Sequence, residues 1–229
     1  MQKYLSPKNF SFRNYKTNAA IKNEFIDIKY DLRAYTITKS DTNKDIINQI
    51  INNYKKQAEK IGYRGFSDEI NSIHDPTSSY IYVADRFGNI LSSVRCTLQK
   101  KQLRIPIEFG TIEKSNDKYI INENLKVCEL NTFYYTQYRS VPTLYDALVR
   151  YIHLNNIDKI FALHNPENRT LATIYFSIGF YPSNKYKKPI FFETYEKKDN
   201  NNNEYKSAKW NILEMNASEM QKTYPRSLL

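Results

Sequence analysis

Between Ile28 and Thr38 the chain reads IKYDLRAYTIT, a run of β-branched and aromatic residues that predicts a strand. The run stops at Ser40-Asp41, either of which can cap a helix. Ile46, Ile47, Ile50, Ile51, Tyr54 and Ala58 then recur at helical spacing with Lys and Asn between them, and Gly62 closes the segment, so one amphipathic helix follows. Tyr63 to Ser79 is polar and rich in turn formers, including Gly65 and Asp75-Pro76, and predicts a long loop of the kind that carries function. Tyr80 to Ala84 and Ile90 to Leu98 read as two strands, joined by Asp85-Arg86-Phe87-Gly88-Asn89 in a tight hairpin.

After a variable segment from Lys100 to Asn124, KVCELNTFYY reads as a strand and Pro142 as the start of a helix whose apolar side is Leu144, Leu148, Ile152 and Leu154. Lys159 to Leu163 is a short apolar strand, and Pro166 to Ser177 a helix ending at Gly179. Strand, helix, strand, helix implies crossovers in a partly parallel sheet. Pro189 to Tyr195 and Ser207 to Leu213 are the last strand patterns, separated by the asparagine-rich tract Asp199 to Glu204, which predicts a hairpin tip. The pattern alone supports a mixed α/β domain.

Composition narrows this. With 229 residues, 41% hydrophobic and 14% aromatic, the chain suits one domain with a sizeable core, spanning 1–229, with 1–25 and 217–229 as unassigned extensions. A formal charge of +10 predicts attraction to something anionic: nucleic acid, an acidic membrane surface, a phosphorylated co-substrate or an acidic protein. The lysines are scattered in pairs such as Lys55-Lys56 and Lys197-Lys198, and no long basic block favours nucleic acid. Cys96 and Cys128 share no metal or redox spacing, and His74, His153 and His164 lie in different segments, so neither a disulfide framework nor a metal site is expected. No apolar leader opens the chain and no stretch reaches the ~18 apolar residues of a membrane span, so a cytoplasmic location is expected.

The segment HNPENRTLATIYFSIGF, residues 164–180, resembles the signature of the GNAT acyltransferase superfamily in its spacing of Asn168, Ala172, Tyr175 and Gly179-Phe180. ELNTFYYTQYR, residues 129–139, resembles that family's fourth strand and the turn after it. The resemblance implies a GNAT fold: a mixed, mostly antiparallel sheet of about six to seven strands, splayed at the fourth and fifth, with flanking helices. It spans Ile28 to Asn216 and is specific between Val127 and Phe180. The family's donor-phosphate loop carries glycines that let backbone amides approach a pyrophosphate, whereas this chain has Arg139-Ser140-Val141-Pro142-Thr143-Leu144, with both glycines absent. That departure points away from plain acetyl-CoA and toward the long-chain N-acyl amino acid synthase and acyl-homoserine-lactone synthase branches, whose donors are acyl carrier proteins. Asp68 and Asp75 before the second strand, Gly88 and Arg95 in the hairpin and Glu129-Leu130-Asn131-Thr132-Phe133 are similar to those branches, although Thr132 replaces their Arg and the lactone-synthase markers are absent.

The resemblance implies an N-acyltransferase with no permanently bound cofactor, an acyl carrier protein or acyl-CoA thioester as co-substrate, and a small amine acceptor such as an amino acid. Glu129 takes the ammonium proton, or else is a carboxylate paired with a lysine; Tyr175 protonates the departing thiolate, or else packs on the sheet. Backbone N–H groups near Phe133 and Tyr134 stabilise the oxyanion, Asn168 contacts the donor arm, and Arg139 and Ser140 hold its phosphate at a helix N-terminus. Arg95 and Asp75 clamp the acceptor, or else pair with each other. His153 reads as a surface residue and Cys128 as a small core residue. Two other readings stand: an acetyl-CoA-dependent N-acetyltransferase acting on a protein or aminoacyl-tRNA, and a non-catalytic GNAT-like binding module. Peripheral membrane contact is compatible with any of the three.

Overall fold

A computed structural model describes residues 15–16, 24–27, 31–39, 44–65, 74–101, 103–122, 124–199 and 203–223. The Ser40-Asp41 cap and residues 66–73 of the predicted 63–79 loop, Asp68 among them, lie outside the described residues. In chain order the elements are β1 (Tyr15–Lys16), β2 (Glu24–Asp27), β3 (Leu32–Thr38), α1 (Lys44–Lys60), β4 (Tyr63–Arg64), β5 (Ser78–Ala84), β6 (Ile90–Leu98), β7 (Thr111–Ile112) and β8 (Val127–Tyr135). Then follow α2 (Val141–Leu154), β9 (Lys159–His164), α3 (Arg169–Ser177), β10 (Tyr181–Pro182), β11 (Ile190–Lys198), β12 (Tyr205–Asn216) and α4 (Ala217–Thr223).

These strands form one 12-stranded sheet in the order β1-β2-β3-β5-β6-β8-β9-β12-β11-β4, with β10 on β12 and β7 on β11. The count exceeds the expected six to seven. The seven longest strands, β3, β5, β6, β8, β9, β11 and β12, are the seven that the hydrophobic pattern marks. The others run four residues or fewer, too short for an alternating pattern to register. Every described pairing is antiparallel except β8 with β9, where α2 makes the crossover between parallel strands.

Helices α2, α3 and α4 cover one face through a core of Ile81, Val94, Leu130, Leu144, Leu148, Ile152, Ile160, Ile174, Leu213 and Met215. Ala217 and Met220 join that core, so the segment left unassigned from sequence begins with a docked helix. Leu154 departs from the expected apolar side of α2: it is exposed, past the last turn that touches the sheet. On the other face α1 packs Ile47 and Ile50 against Ile37, Tyr80, Tyr82 and Tyr134. The 101–122 segment extends this face with Ile105, Ile107 and Ile121 against Phe161, Ile190 and Ile212. Both predicted thiols, Cys96 and Cys128, are buried, and burial raises their pKa values, which suits packing and not nucleophilic chemistry. Among the described residues no helix is long and apolar enough to cross a membrane.

The 85–89 hairpin is built as its sequence demands: Asp85 Oδ1 accepts from Phe87 N and Asn89 N at 2.9 Å each, and Gly88 takes φ +84°. Gly65, at φ +83°, has a tighter constraint, because a Cβ there would fall 1.5 Å from the Thr194 carbonyl oxygen of β11. Gly88 by contrast faces open space. Gly65→Ala should therefore lower unfolding free energy by more than about 2 kcal/mol, while Gly88→Ala costs about 1 kcal/mol, as read from urea midpoints.

Candidate active site

Strand β8 pairs with β9 only from Val127↔Lys159 to Leu130↔Ala162, and past that point the two part. On its other edge β8 pairs with β6, where Arg95 lies opposite Asn131 and Ser93 opposite Tyr134. Thr132 and Phe133 thus oppose the single residue Val94, a β-bulge, and Thr132 has φ +54°. The extra residue reverses the alternation. Before it, Glu129 and Asn131 share a face with Thr97 and Arg95; after it, Tyr134 faces α1 while Phe133 and Tyr135 turn toward α2 and α3. Phe133 and Tyr134, paired in the sequence reading, accordingly lie on opposite faces. Phe133 meets Tyr145 and Tyr175, and Tyr134 joins Tyr80 and Tyr82 away from the site.

Glu129 is fully buried. Its Oε2 accepts from Ile107 N at 2.8 Å, and its Oε1 has no hydrogen-bond partner among the described residues. Burial pushes its pKa up to about 8, opposed by the Ile107 N–H, the Arg95 charge and the nearby Asn131 amide. Glu108 makes the contrast. It too is buried, but its oxygens accept from Ile105 N (3.0 Å) and Ile121 N (2.9 Å), bonds that close the turn Pro106–Phe109. Both oxygens of Glu108 are hydrogen-bonded, whereas Glu129 has one oxygen unpaired among the described residues.

Beside Glu129 a polar chain crosses three strands. Ser78 Oγ donates to His74 O (2.7 Å), so its contact with Thr97 Oγ1 (3.1 Å) must be accepted from the threonine, which in turn accepts from Asn131 Nδ2 (3.3 Å). Ser78 Oγ also accepts from Arg95 Nε at 2.8 Å. This fixes the Asn131 amide with its oxygen toward Thr132 Oγ1 (3.1 Å). Arg95 is buried, with Nη2 3.6 Å from Asp75 Oδ1. Asp75 is further bound by Lys39 Nζ (2.5 Å) and Tyr80 Oη (3.3 Å). Asp75 thus stands behind Arg95 as an ion-pair partner instead of facing an acceptor, because three donors already converge on it.

Tyr175 is buried on α3 with its ring against Phe133 (6.1 Å) and Phe180 (5.2 Å). Burial, then the Glu129 charge, raises its pKa, so its hydroxyl keeps its proton. Asn168 starts α3, with Oδ1 accepting from Leu171 N at 3.2 Å; that bond puts the helix start at Arg169 and not at Pro166. Arg139 and Ser140 sit elsewhere. Arg139 Nε donates to Gln137 Oε1 (2.7 Å) and Ser140 Oγ to Gln137 O (2.7 Å). Tyr138–Ser140 wind into a 3-10 turn ahead of α2, where Ser140 N donates to Gln137 O, Val141 N to Tyr138 O, and Pro142 has no N–H. Three backbone positions that could cradle a pyrophosphate are therefore engaged or absent.

Glu129, Asn131, Thr132, Phe133, Tyr175 and Asn168 line one cavity of about 290 Å³; Arg95 does too, but Asp75, Tyr134, Arg139 and Ser140 do not. Because Phe133 and Tyr175 belong to the α2 side of the sheet and Arg95 and Glu129 to the α1 side, the cavity passes through the sheet where β8 and β9 part. Under α1 it has a polar end at Arg95 and His74 and an apolar arm of Ala58, Ile61, Tyr63, Phe192, Tyr195 and Trp210. Tyr63 stacks on Trp210 at 5.6 Å and Tyr195 stands edge-on to it at 6.2 Å. His74 and this arm were missed from the sequence. A turn histidine and aromatics on three separate strands show their common wall only once the strands are ordered.

No protein-family model matches the sequence, and no curated protein matches it. Among solved structures, an N-acyl amino acid synthase from uncultured soil microbes, FeeM, matches at 14% identity and TM-score 0.55, covering 84% of this chain and 95% of that one. Spermidine N-acetyltransferase from Vibrio cholerae, in complex with CoA and spermine, matches at 14% identity and TM-score 0.49, over 83% and 98%. An N-acetyltransferase from Staphylococcus aureus Mu50 matches at 9% identity and TM-score 0.48, over 82% and 98%. The likeness to the N-acyl amino acid synthase shows the fold: this chain has the GNAT fold expected from its second half.

The carboxyl of Glu129 predicts a pH effect on stability. Its folded-state pKa of about 8 lies above the ~4.3 of an unfolded glutamate, so its contribution is complete below ~4.3 and is lost as pH rises through 8. Relative to Glu129→Gln, the parent protein should lose on the order of 1 kcal/mol per pH unit across that window, measured by urea unfolding at pH 4 to 9.

Proposed function

We propose that this protein is an N-acyltransferase that moves an acyl group from a thioester to the amine of a small acceptor. The observation that carries the reading is the buried Glu129 carboxyl, with one oxygen unpaired, in a cavity that it shares with the Tyr175 phenol and the stretch of β8 that no longer pairs with β9. An acceptor ammonium gives a proton to the ionised form of Glu129, whose pKa near 8 lies about two units below that of an alkyl ammonium, so the transfer is uphill by roughly 3 kcal/mol, against more than twice that for a glutamate of ordinary pKa. The freed amine attacks the thioester carbon; the C–N bond forms and the carbonyl electron pair moves to oxygen, facing the backbone of Asn131 to Phe133. As that pair returns, the C–S bond breaks. Tyr175 donates its proton to the thiolate and regains one from the nitrogen, leaving an amide and a thiol.

The donor side of the cavity is Asn168, Leu171, Tyr175, Phe133 and Tyr135, reached between β8 and β9. Its phosphate loop lacks the amides and glycines that hold a pyrophosphate closely, which favours a donor whose arm ends in a single phosphate, an acyl carrier protein, over acetyl-CoA. A net charge of +10 would steer an acidic carrier to this surface. The apolar arm beyond Glu129 suits an acyl chain longer than acetyl.

The test supplies acetyl-CoA, palmitoyl-CoA and long-chain acyl carrier protein together with a pool of amino acids and amines, and reads amides by mass spectrometry. A long-chain amide is expected; no amide from any donor removes the enzyme reading, and an acetyl amide alone removes the donor reading. Tyr175→Phe should lower kcat by about ten- to a thousand-fold, and Glu129→Gln by about a hundred-fold or more, with KM little changed.

A further inference from the structure

Away from the cavity, two loops bring lysines to one place. Tyr119 Oη donates to Lys188 O (3.1 Å) and accepts from Lys188 N (3.0 Å), while Glu113 N donates to Pro189 O (2.8 Å). Lys118 bridges Thr111, which pairs in turn with Phe191 of β11. Within the turn Asp117 O accepts from Ile112 N (2.9 Å), and Ser115 Oγ donates to Asp117 Oδ2 (2.6 Å). Residues 111–119 and 186–191 are thus tied into a single corner.

Lys114, Lys118, Lys187 and Lys188 are all exposed on it, and none of the four has an ion-pair partner among the described residues. Glu113 is matched by Lys209 Nζ at 3.0 Å, so the carboxylate of Asp117 alone stands against four ammonium groups. Next to Lys118 in the chain, Ile120 is 64% exposed, whereas Ile121 is buried with Phe161 and Ile212. Ile120 O accepts from Asn122 N at 3.1 Å, which holds the turn that points one isoleucine in and the other out. A lone exposed aliphatic is ordinary on a protein surface, but this one is fixed beside a cluster of like charges that repel one another. A partner both anionic and apolar relieves each cost.

The makeup of the corner selects that partner. Nucleic acid is disfavoured: the corner has no arginine for bidentate phosphate contacts, and the ring of Tyr119 is turned edge-on to Tyr186 at 5.2 Å with its hydroxyl engaged twice, so it offers no platform for a base. An acidic carrier protein must reach the donor side, under α2 and α3, whereas Tyr119 and Tyr186 pack into the core on the α1 face. A lipid surface spreads negative charge over an apolar layer a few ångströms below it, and lysines around a protruding isoleucine suit both depths. We infer that this corner is a membrane-docking surface, in which Lys114, Lys118, Lys187 and Lys188 lie on anionic lipid headgroups and Ile120 inserts between them. The inference stands apart from the acyltransferase reading.

Co-sedimentation of the full chain with lipid vesicles is the test. The protein should bind vesicles of phosphatidylcholine with about 30% phosphatidylglycerol at ~0.1 M salt, and lose about ten-fold or more of that binding at ~0.5 M salt. Binding to phosphatidylcholine alone should be absent. The triple variant Lys118→Gln, Lys187→Gln, Lys188→Gln should bind about 100-fold more weakly, near five-fold per lysine. Lys44→Gln, Lys56→Gln, Lys60→Gln takes the same charge from α1 and should change binding little. Equal loss in both triples, equal binding to both vesicle types, or binding to neither overturns the inference. Because Cys96 and Cys128 are buried, a polarity-sensitive dye on Ile120→Cys reports insertion. Its emission should shift to the blue on the anionic vesicles, and an unshifted dye on sedimented protein overturns the wedge. A triple variant at 118, 187 and 188 that binds vesicles as the parent does, but loses turnover with acyl carrier protein, would assign the corner to the carrier and overturn the inference as well.

Discussion

Much of this structure follows from a single divergence in one strand. β8 is bonded on both edges as far as Leu130, and beyond it holds only β6. Backbone groups that leave a ladder need water, a side chain or a substrate, so an interior strand losing its neighbour is tolerated only where something polar can enter. The bulge at Thr132 and Phe133 adds the second half of the constraint. By shifting the alternation one place, it directs Glu129 and Asn131 to one face and Phe133 and Tyr135 to the other within a few residues. A regular strand would put all four on one face, and the site would have only one side.

Two of the buried carboxylates, Glu108 and Glu129, show how the same residue type is set apart by the donors around it. Glu108 closes a turn and tethers Ile105 and Ile121, so both of its oxygens are satisfied. Glu129 sits on β8 with one backbone donor and is fully buried, so its proton is held to about pH 8. The hydrogen-bonded chain Asn131, Thr97, Ser78, His74 runs beside Glu129 and braces the cavity floor. Each member has one settled hydrogen-bond direction, which leaves the floor of the cavity little freedom to rearrange.

What the sequence made legible followed from periodicity and from residues adjacent in the chain. The seven long strands, the crossover around α2 and the placing of Glu129, Asn168 and Tyr175 on one cavity were all expected. Strands of two residues, such as β4 and β7, have no pattern to read and arise because β11 offers an edge. That Phe133, and not Tyr134, turns toward Tyr175 needed the bulge, which no local signal announces, since Thr is a poor choice for positive φ. Asp75 was assigned beside Arg95, and the pair exists, but only folding shows Lys39, just past β3, and Tyr80 of β5 converging on it. His74 was set aside for lacking metal spacing, and only folding puts it on the cavity wall.

The short strands on β11 have a mechanical consequence. β4 and β7 come from the part of the chain before β8, yet they pair with β11 from the part after β9, and Arg64–Glu196 and Lys209–Glu113 ion pairs span the same divide. The two halves are therefore laced together at the far margin as well as joined along the seam at β8 and β9. Widening the slot would require undoing both fastenings at once, so its aperture is fixed by the weave of the chain before any substrate arrives, and a guest threads through an opening that is already cut.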